Sequence, residues 1–158
     1  MLSRGFLLFL ICFFLLGCSN YNKFDKSNLY KLGEIEVKEN DTYISKSIKS
    51  NIENSFNVYK LKNTQIEKYK LLLNLNEKIE GSLFTSSVRK IEMSVTYELI
   101  EKNTNRVIYK DSFSRNSLVG PVQSLYSRDQ SERNARKRLG ISISNDIIIR
   151  LIEWANYS

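Results

Sequence analysis

The chain has 158 residues and a formal net charge of +7 at pH 7, with no histidine and two cysteines. This length suits one domain with a single hydrophobic core. The lack of histidine removes the commonest general base, the commonest metal ligand and every nucleophile pair that depends on imidazole. We therefore expect a protein that is not an enzyme and that uses no cofactor or metal. Lysine, asparagine and isoleucine are abundant throughout, so the basic charge is weak evidence for nucleic acid, and no nucleic-acid partner is expected.

An apolar segment at residues 6–16 precedes a glycine and Cys18. It is shorter than the roughly 20 apolar residues of a membrane-spanning helix, and with Arg4 before it the segment fits a secretory signal. Its leucines, small residue and cysteine resemble the signal of bacterial lipoproteins. That resemblance implies that residues 1–17 are removed and that Cys18 carries acyl chains that anchor the protein in a membrane. Because Ser19 is not aspartate, the expected location is the periplasmic face of the outer membrane.

The rest of the chain is predicted to form a tether at residues 18–31 and one periplasmic domain at residues 32–158. Within the domain, residues 32–39 alternate between apolar and polar side chains, which predicts a half-buried strand. Helix-capping residues follow at positions 40–42. Isoleucine or phenylalanine then recurs at every fourth position, which predicts a first helix from about residue 42 to 56.

The two-residue period of a strand returns further along the chain. Residues 69–81 predict a long second strand, and residues 89–118 predict an antiparallel hairpin. The hairpin turn is placed at residues 103–105, because asparagine tolerates a positive φ. The alternation assigns three residues to the apolar face of the last strand: Val107, Tyr109 and Phe113.

A second helix is predicted after Gly120-Pro121, which ends the last strand. Ser127 and Gln130 have the spacing of a capping box, and apolar residues then recur at helical intervals to about residue 156. Gly140 in this helix indicates a bend or a close contact. The predicted fold class is therefore α+β, a two-layer sandwich in the order β-α-β-β-β-α, with a four-stranded sheet covered on one face by two helices.

This element order and the lipoprotein-like start resemble the lipopolysaccharide-assembly lipoprotein family LptE, in particular its short alphaproteobacterial members. The likeness is carried by Tyr97-Glu98-Leu99 before the hairpin turn, Val107-Ile108-Tyr109 after it, and the passage from Tyr126 to Leu139. It implies a protein that plugs the lumen of the outer-membrane β-barrel LptD, helps that barrel to assemble and contacts lipopolysaccharide in transit. A wet barrel lumen suits a plug with polar outer faces.

Lipopolysaccharide presents phosphates and carboxylates, which cationic side chains bind. Four cations at strand ends are the candidate contacts: Arg89, Lys90, Arg106 and Arg115. Arg89 and Lys90 are the first choice because a loop tip of the domain can reach a ligand in the barrel, while ordinary solubilising charges are the alternative. Glu132 can pair with Arg136 four residues on. The basic run around that pair therefore fits a solvated helix face or a contact to the barrel wall: Arg128, Arg133, Arg136, Lys137 and Arg138.

Two other hypotheses stay open. An auxiliary or pilotin-type lipoprotein of another envelope transport or assembly complex would share an acylated Cys18 and a small periplasmic domain. An enzyme acting on envelope polymers would need paired carboxylates, for which Glu92, Glu98 and Asp111 are candidates. All three are expected at exposed strand positions beside lysines, which is typical of the wet face of a sheet and argues against catalysis.

Overall fold

The computed structural model describes residues 32, 35–39, 42–57, 69–81, 88–121 and 124–157. The elements, in chain order, are β1 (Ile35–Glu39), α1 (Tyr43–Asn57), β2 (Tyr69–Glu80), β3 (Arg89–Glu101), β4 (Arg106–Val119) and α2 (Leu125–Tyr157). The predicted α+β class and the order β-α-β-β-β-α are confirmed. The expected signal segment, Cys18 and the tether lie outside the described residues.

The four strands form one mixed sheet in the order β1-β2-β3-β4. β1 runs parallel to β2, whereas β2, β3 and β4 are antiparallel neighbours. A parallel pair needs a crossover connection, and α1 lies in it. The predicted start of β1 at residue 32 is wrong, because Leu32 is not part of the strand, although its side chain is buried.

The core lies between one face of the sheet and the two helices. β3 shows the alternation most clearly, with alternate residues buried from Ile91 to Leu99. Both helices cover this face with rows of isoleucine and leucine: Ile48, Ile52, Ile143, Ile147 and Leu151. A Cβ atom at Gly140 would lie 3.5 Å from Ile44 Cγ2, so the glycine marks a close approach of α2 to α1.

The predicted burial of Val107 is wrong. Leu99 pairs with Tyr109, but Ile100 pairs with Val107, so the register shifts by one residue at Ile108. A bulge of this kind reverses the alternation on the bulged strand, and Val107 is 46% exposed as a result. Beyond the bulge, the prediction is confirmed, since Tyr109 and Phe113 pack against the core.

Polar side chains fix both helix starts. The predicted cap of α1 is confirmed, because Thr42 Oγ1 accepts the Ser45 N–H at 3.2 Å and Ser45 Oγ accepts the Thr42 N–H at 3.0 Å. The predicted start of α2 at Ser127 is wrong. Ser124 caps this helix instead, with its Oγ accepting the Ser127 N–H at 3.1 Å. The hairpin turn is confirmed, with Asn105 at a φ of 54°.

Candidate functional site

The sheet face that the helices leave open carries mainly polar side chains. Its centre is a neutral strip, in which small polar residues lie side by side across three strands: Asn74, Thr96 and Ser112 in one row, and Asn76, Ser94 and Ser114 in the next. Charged pairs flank the strip, including Lys110 Nζ with Glu98 Oε1 at 2.6 Å. The open face is therefore a largely hydrophilic surface held in place by the backbone pairing of the sheet.

Arg89 and Lys90 point to opposite sides of β3. Arg89 faces the helices, is 7% exposed and contacts the carboxylate of Glu132, which is 8% exposed. Lys90 lies on the open face, where its Nζ is 2.8 Å from Glu92 Oε2 and 3.8 Å from Glu80 Oε2. The hydrogen bond to Glu92 raises the pKa of Lys90. Only Lys90 of this pair is placed to meet a ligand from solvent.

The Arg89–Glu132 pair continues into a chain of alternating charges. Arg136 Nη2 lies 3.5 Å from Glu132 Oε2 and 2.9 Å from Glu77 Oε1. The expected pairing of Glu132 with Arg136 is thus confirmed. Because each buried charge in the chain has an opposite neighbour, this part of the basic run joins α2 to the sheet.

Asp111 occupies a different position from the one expected. The sequence placed it on the wet face, but it pairs with Tyr97 in the sheet and faces α2. Its Oδ2 accepts hydrogen bonds from Arg150 Nη1 at 2.6 Å and from Tyr97 Oη at 3.2 Å. Tyr109 Oη is a further neighbour, 3.4 Å away.

The titration of these groups follows from their surroundings. Burial acts to raise the pKa of Asp111, but the hydrogen bonds from Arg150 and the Ser112 N–H outweigh it, and the pKa of Asp111 is lowered. Burial raises the pKa of Tyr97, and the hydrogen bond with Tyr109 adds to this shift. Asp111 is therefore a charged centre of side-chain packing between β4 and α2.

Arg115 belongs to the same contact region between β4 and α2. Its Nε lies 2.6 Å from Asp146 Oδ2 on α2, and its guanidinium carbon is 5.7 Å from the centre of the Phe113 ring. Arg150 covers the same ring, with its guanidinium carbon 4.6 Å from the ring centre. Trp154 extends the contact, with its ring centre 5.7 Å from that of Tyr109. Trp154 thus helps to hold α2 against the sheet.

Arg106 lies at the far end of β4, next to the hairpin turn, and is exposed. It is nine positions from Arg115, or about 30 Å at the rise of an extended strand. Arg89 is more distant still, because it pairs with Val119 at the other end of β4. The structure therefore does not bring the four predicted cations together in one site.

A small polar cleft lies at the end of the sheet that carries Arg89 and Lys90. It has a volume of about 220 Å³ and is bordered by the end of β4 and one face of α2: Leu118, Val119, Gly120, Ser131, Asn134 and Arg138. This cleft has no signature in the sequence, since only the packing of α2 against β4 brings its residues together. Arg138, from the predicted basic run, is its cationic member.

Two properties of the described part of the chain limit its chemistry. No group of three or more histidine, cysteine, aspartate or glutamate residues there is arranged to hold a metal ion. In the same residues, neither helix combines the length and the apolar character needed to cross a bilayer. What the geometry provides is an open polar face, a small cleft and paired charges.

No protein-family model matches the chain, and neither does any curated protein. Solved structures do match. A lipoprotein from Caulobacter crescentus superposes with a TM-score of 0.66 at 14% identity, over 81% of this chain and 94% of that one. Lipoprotein B from Nitrosomonas europaea superposes with a TM-score of 0.57 at 9% identity, over 79% of this chain and 85% of that one. A minor lipoprotein from Acinetobacter baumannii superposes with a TM-score of 0.55 at 8% identity, over 78% of this chain and 94% of that one.

These matches show which solved structures share the fold of this chain. The chain has the α+β fold of small bacterial lipoproteins, and the matches cover most of its predicted domain and nearly all of two of the three neighbours. At these identities the likeness is one of fold. It shows the fold, and the lipoprotein class, the family and the role remain expectations from the sequence.

Proposed function

We propose that this protein is a non-enzymatic lipoprotein, acylated at Cys18 and anchored at the periplasmic face of the outer membrane. There it plugs an LptD-type β-barrel, helps the barrel to assemble and takes part in lipopolysaccharide transport. The observation that carries the proposal is the open sheet face with its neutral strip. A plug inside a wet lumen needs a rigid outer surface of polar groups, and small hydroxyl and amide side chains on paired strands supply one.

The fold of the neighbouring lipoproteins supports the envelope location, and the cysteine-led signal pattern supports the anchor. Among the four candidate cations, Lys90 and Arg106 are the proposed lipopolysaccharide contacts, because both are accessible from solvent. Arg89 is removed from this role by its burial against Glu132. Arg115 is a weaker candidate, because its ion pair with Asp146 joins β4 to α2.

The test is a pull-down of the full lipidated chain from its native envelope in mild detergent, with the co-purifying proteins identified by mass spectrometry. A stoichiometric barrel of LptD type is the expected result. Recovery of inner-membrane transporter subunits, or of no barrel, would contradict the plug and favour an auxiliary lipoprotein of another complex. A cysteine-to-serine change at Cys18 is the control for anchoring, since it removes the acylation site and keeps the domain.

A further inference from the structure

The polar cleft between the end of β4 and α2 is lined by side chains that the packing of the protein leaves unused. Ser131, Asn134 and Arg138 reach it from α2, at spacings of three and four residues that place them on one helix face. None of these three side chains has a hydrogen bond or an ion pair within the described residues. Their hydrogen-bonding capacity is therefore available to a ligand.

Arg138 differs in this respect from its neighbours on the same helix. Three arginines of α2 each form an ion pair of 2.9 Å or less with a carboxylate: Arg133, Arg136 and Arg150. The six residues that border the cleft include no aspartate or glutamate. The cleft thus presents one cation that has no acidic partner in the described part of the chain.

Gly120 leaves open space at the other wall of the cleft. Its φ is not positive, and a Cβ atom built on it would meet no other heavy atom within 4 Å. Neither the backbone conformation nor the packing of the described residues therefore requires glycine here. A glycine without such a requirement allows another molecule to approach the backbone closely.

We propose that this cleft binds a carboxylate at the end of an organic chain. The guanidinium fork of Arg138 matches a carboxylate, and the Ser131 hydroxyl and the Asn134 amide are neutral donors for its remaining lone pairs. One cation balances the single charge of a carboxylate, whereas a phosphate monoester, with about −1.5 to −2 at pH 7, would keep an excess of negative charge.

The size and the apolar part of the cleft fit the rest of such a ligand. Its volume of about 220 Å³ equals roughly seven water molecules at about 30 Å³ each, which is room for a carboxylate and a short chain. Leu118 and Val119 offer apolar contact to that chain. The cleft needs no barrel partner, so this proposal and the function proposed above can fail independently.

The first test is a saturation-transfer NMR titration of the full lipidated chain in neutral detergent micelles, with empty micelles as the blank. The probe is N-acetyl-alanyl-alanine, and the same dipeptide with a C-terminal amide is the uncharged reference. The acid is expected to bind at least tenfold more tightly than the amide, the effect of losing a charged hydrogen bond. Equal binding of the acid and the amide would overturn the proposal.

Two substitutions assign the binding to Arg138. Arg138→Gln is expected to weaken the binding of the acid roughly tenfold. Lys137→Gln removes the same charge from the next residue, which does not border the cleft, and is the matched control with nearly unchanged binding. An equal loss in the two variants would show a general charge effect and would overturn the site.

Asn134→Asp separates a binding role from a structural one. The new carboxylate lies four residues before Arg138, so it can pair with the arginine and repel the acid. This variant is expected to lose binding and to keep the thermal midpoint of the unmodified chain, and Arg138→Gln should keep it as well. A lowered midpoint in Arg138→Gln, with binding of the acid retained, would show a structural arginine and overturn the proposal.

Competition identifies the source of the carboxylate. Displacement of the dipeptide acid by propionate at a similar concentration would support a small organic acid as the ligand. Displacement only by peptides with a free C-terminus would support a peptide chain end. Stronger displacement by inorganic phosphate than by either acid would overturn the assignment to a carboxylate.

Discussion

At the residue scale, the pair of Arg89 with Glu132 stabilises the packing of α2 on the sheet. Both side chains are buried, so Glu132→Gln leaves a buried guanidinium without its opposite charge. We expect this change to lower the free energy of unfolding by roughly 3–5 kcal/mol, measured by urea denaturation. Glu80→Gln on the open face is the control and should have no measurable effect. An equally small effect of the two changes would contradict the buried pair.

Asp111 predicts a dependence of stability on pH. Its pKa in the folded protein is lowered from the ordinary value of 3.8 by Arg150 and the Ser112 N–H, against the opposing effect of burial. The stability that Asp111 contributes is therefore fully present above pH 3.8 and is lost as the pH falls through the lower folded pKa. Asp111→Asn should reduce the difference between the free energies of unfolding that urea denaturation gives at pH 7 and at pH 3. An unchanged difference between the two pH values would argue against this role.

The positions of Arg89 and Asp111 could have been predicted from alternation alone. Arg89 has the same parity as Ile91 and Met93, so the strand period already placed it on the buried face. Asp111 has the parity of Tyr109 and Phe113 in the same way. The position of Arg89 next to a loop and the lysines beside Asp111 pointed to exposure instead. The partners Glu132 and Arg150 could not be found, because their contacts depend on how α2 crosses the sheet.

At the scale of the element, two substitutions test which serine caps the start of α2. Ser124→Ala removes the side chain that accepts the Ser127 N–H, so it should cost about 1 kcal/mol of unfolding free energy. Ser127→Ala should cost less than half as much, since its backbone N–H remains. Thermal or urea unfolding followed by circular dichroism measures both. A larger effect at Ser127 would restore the start predicted from the sequence.

Gly140 offers a change that should stabilise α2. A Cβ atom there would meet Ile44 Cγ2 at 3.5 Å and Ile48 Cγ1 at 3.8 Å, which are ordinary contact distances. Gly140→Ala therefore gains helix propensity without a clash, and we expect it to raise the free energy of unfolding by about 0.5–1 kcal/mol. Gly140→Leu is the matched opposite, because its larger side chain would push α1 and α2 apart. Loss of stability in Gly140→Ala would show that the helices lie closer together.

Elements with a clean period were predictable, and their irregular points were not. The alternation of β3 and the four-residue spacing of α1 gave the right elements. The bulge at Ile108 inserted one residue into a regular pattern, and nothing in the residue types near it signalled the insertion. Ser124 and Ser127 have equal capping chemistry, so the choice between them depends on the packing of the first turn of α2.

At the scale of the whole molecule, one side of the sheet packs against the helices, and the proposed function assigns the open side to contact with a partner. Ser94 lies in the middle of the neutral strip, and Asn145 lies on the exposed side of α2. Ser94→Arg is expected to leave the unfolding midpoint nearly unchanged and to reduce the recovery of an LptD-type barrel in the pull-down. Asn145→Arg adds the same charge away from the strip and is the control. Equal recovery with both variants would contradict a contact through the open face.

The mixed pairing of the sheet also has a consequence for the order of folding. β2, β3 and β4 are joined by successive antiparallel contacts. β1 pairs only with β2, and α1 and a connecting segment separate these two strands in the sequence. Contacts that close short loops form sooner than those that close long ones. The three-stranded meander is thus expected to gain protection from hydrogen exchange first. The segment nearest the proposed lipid anchor would then join the sheet last.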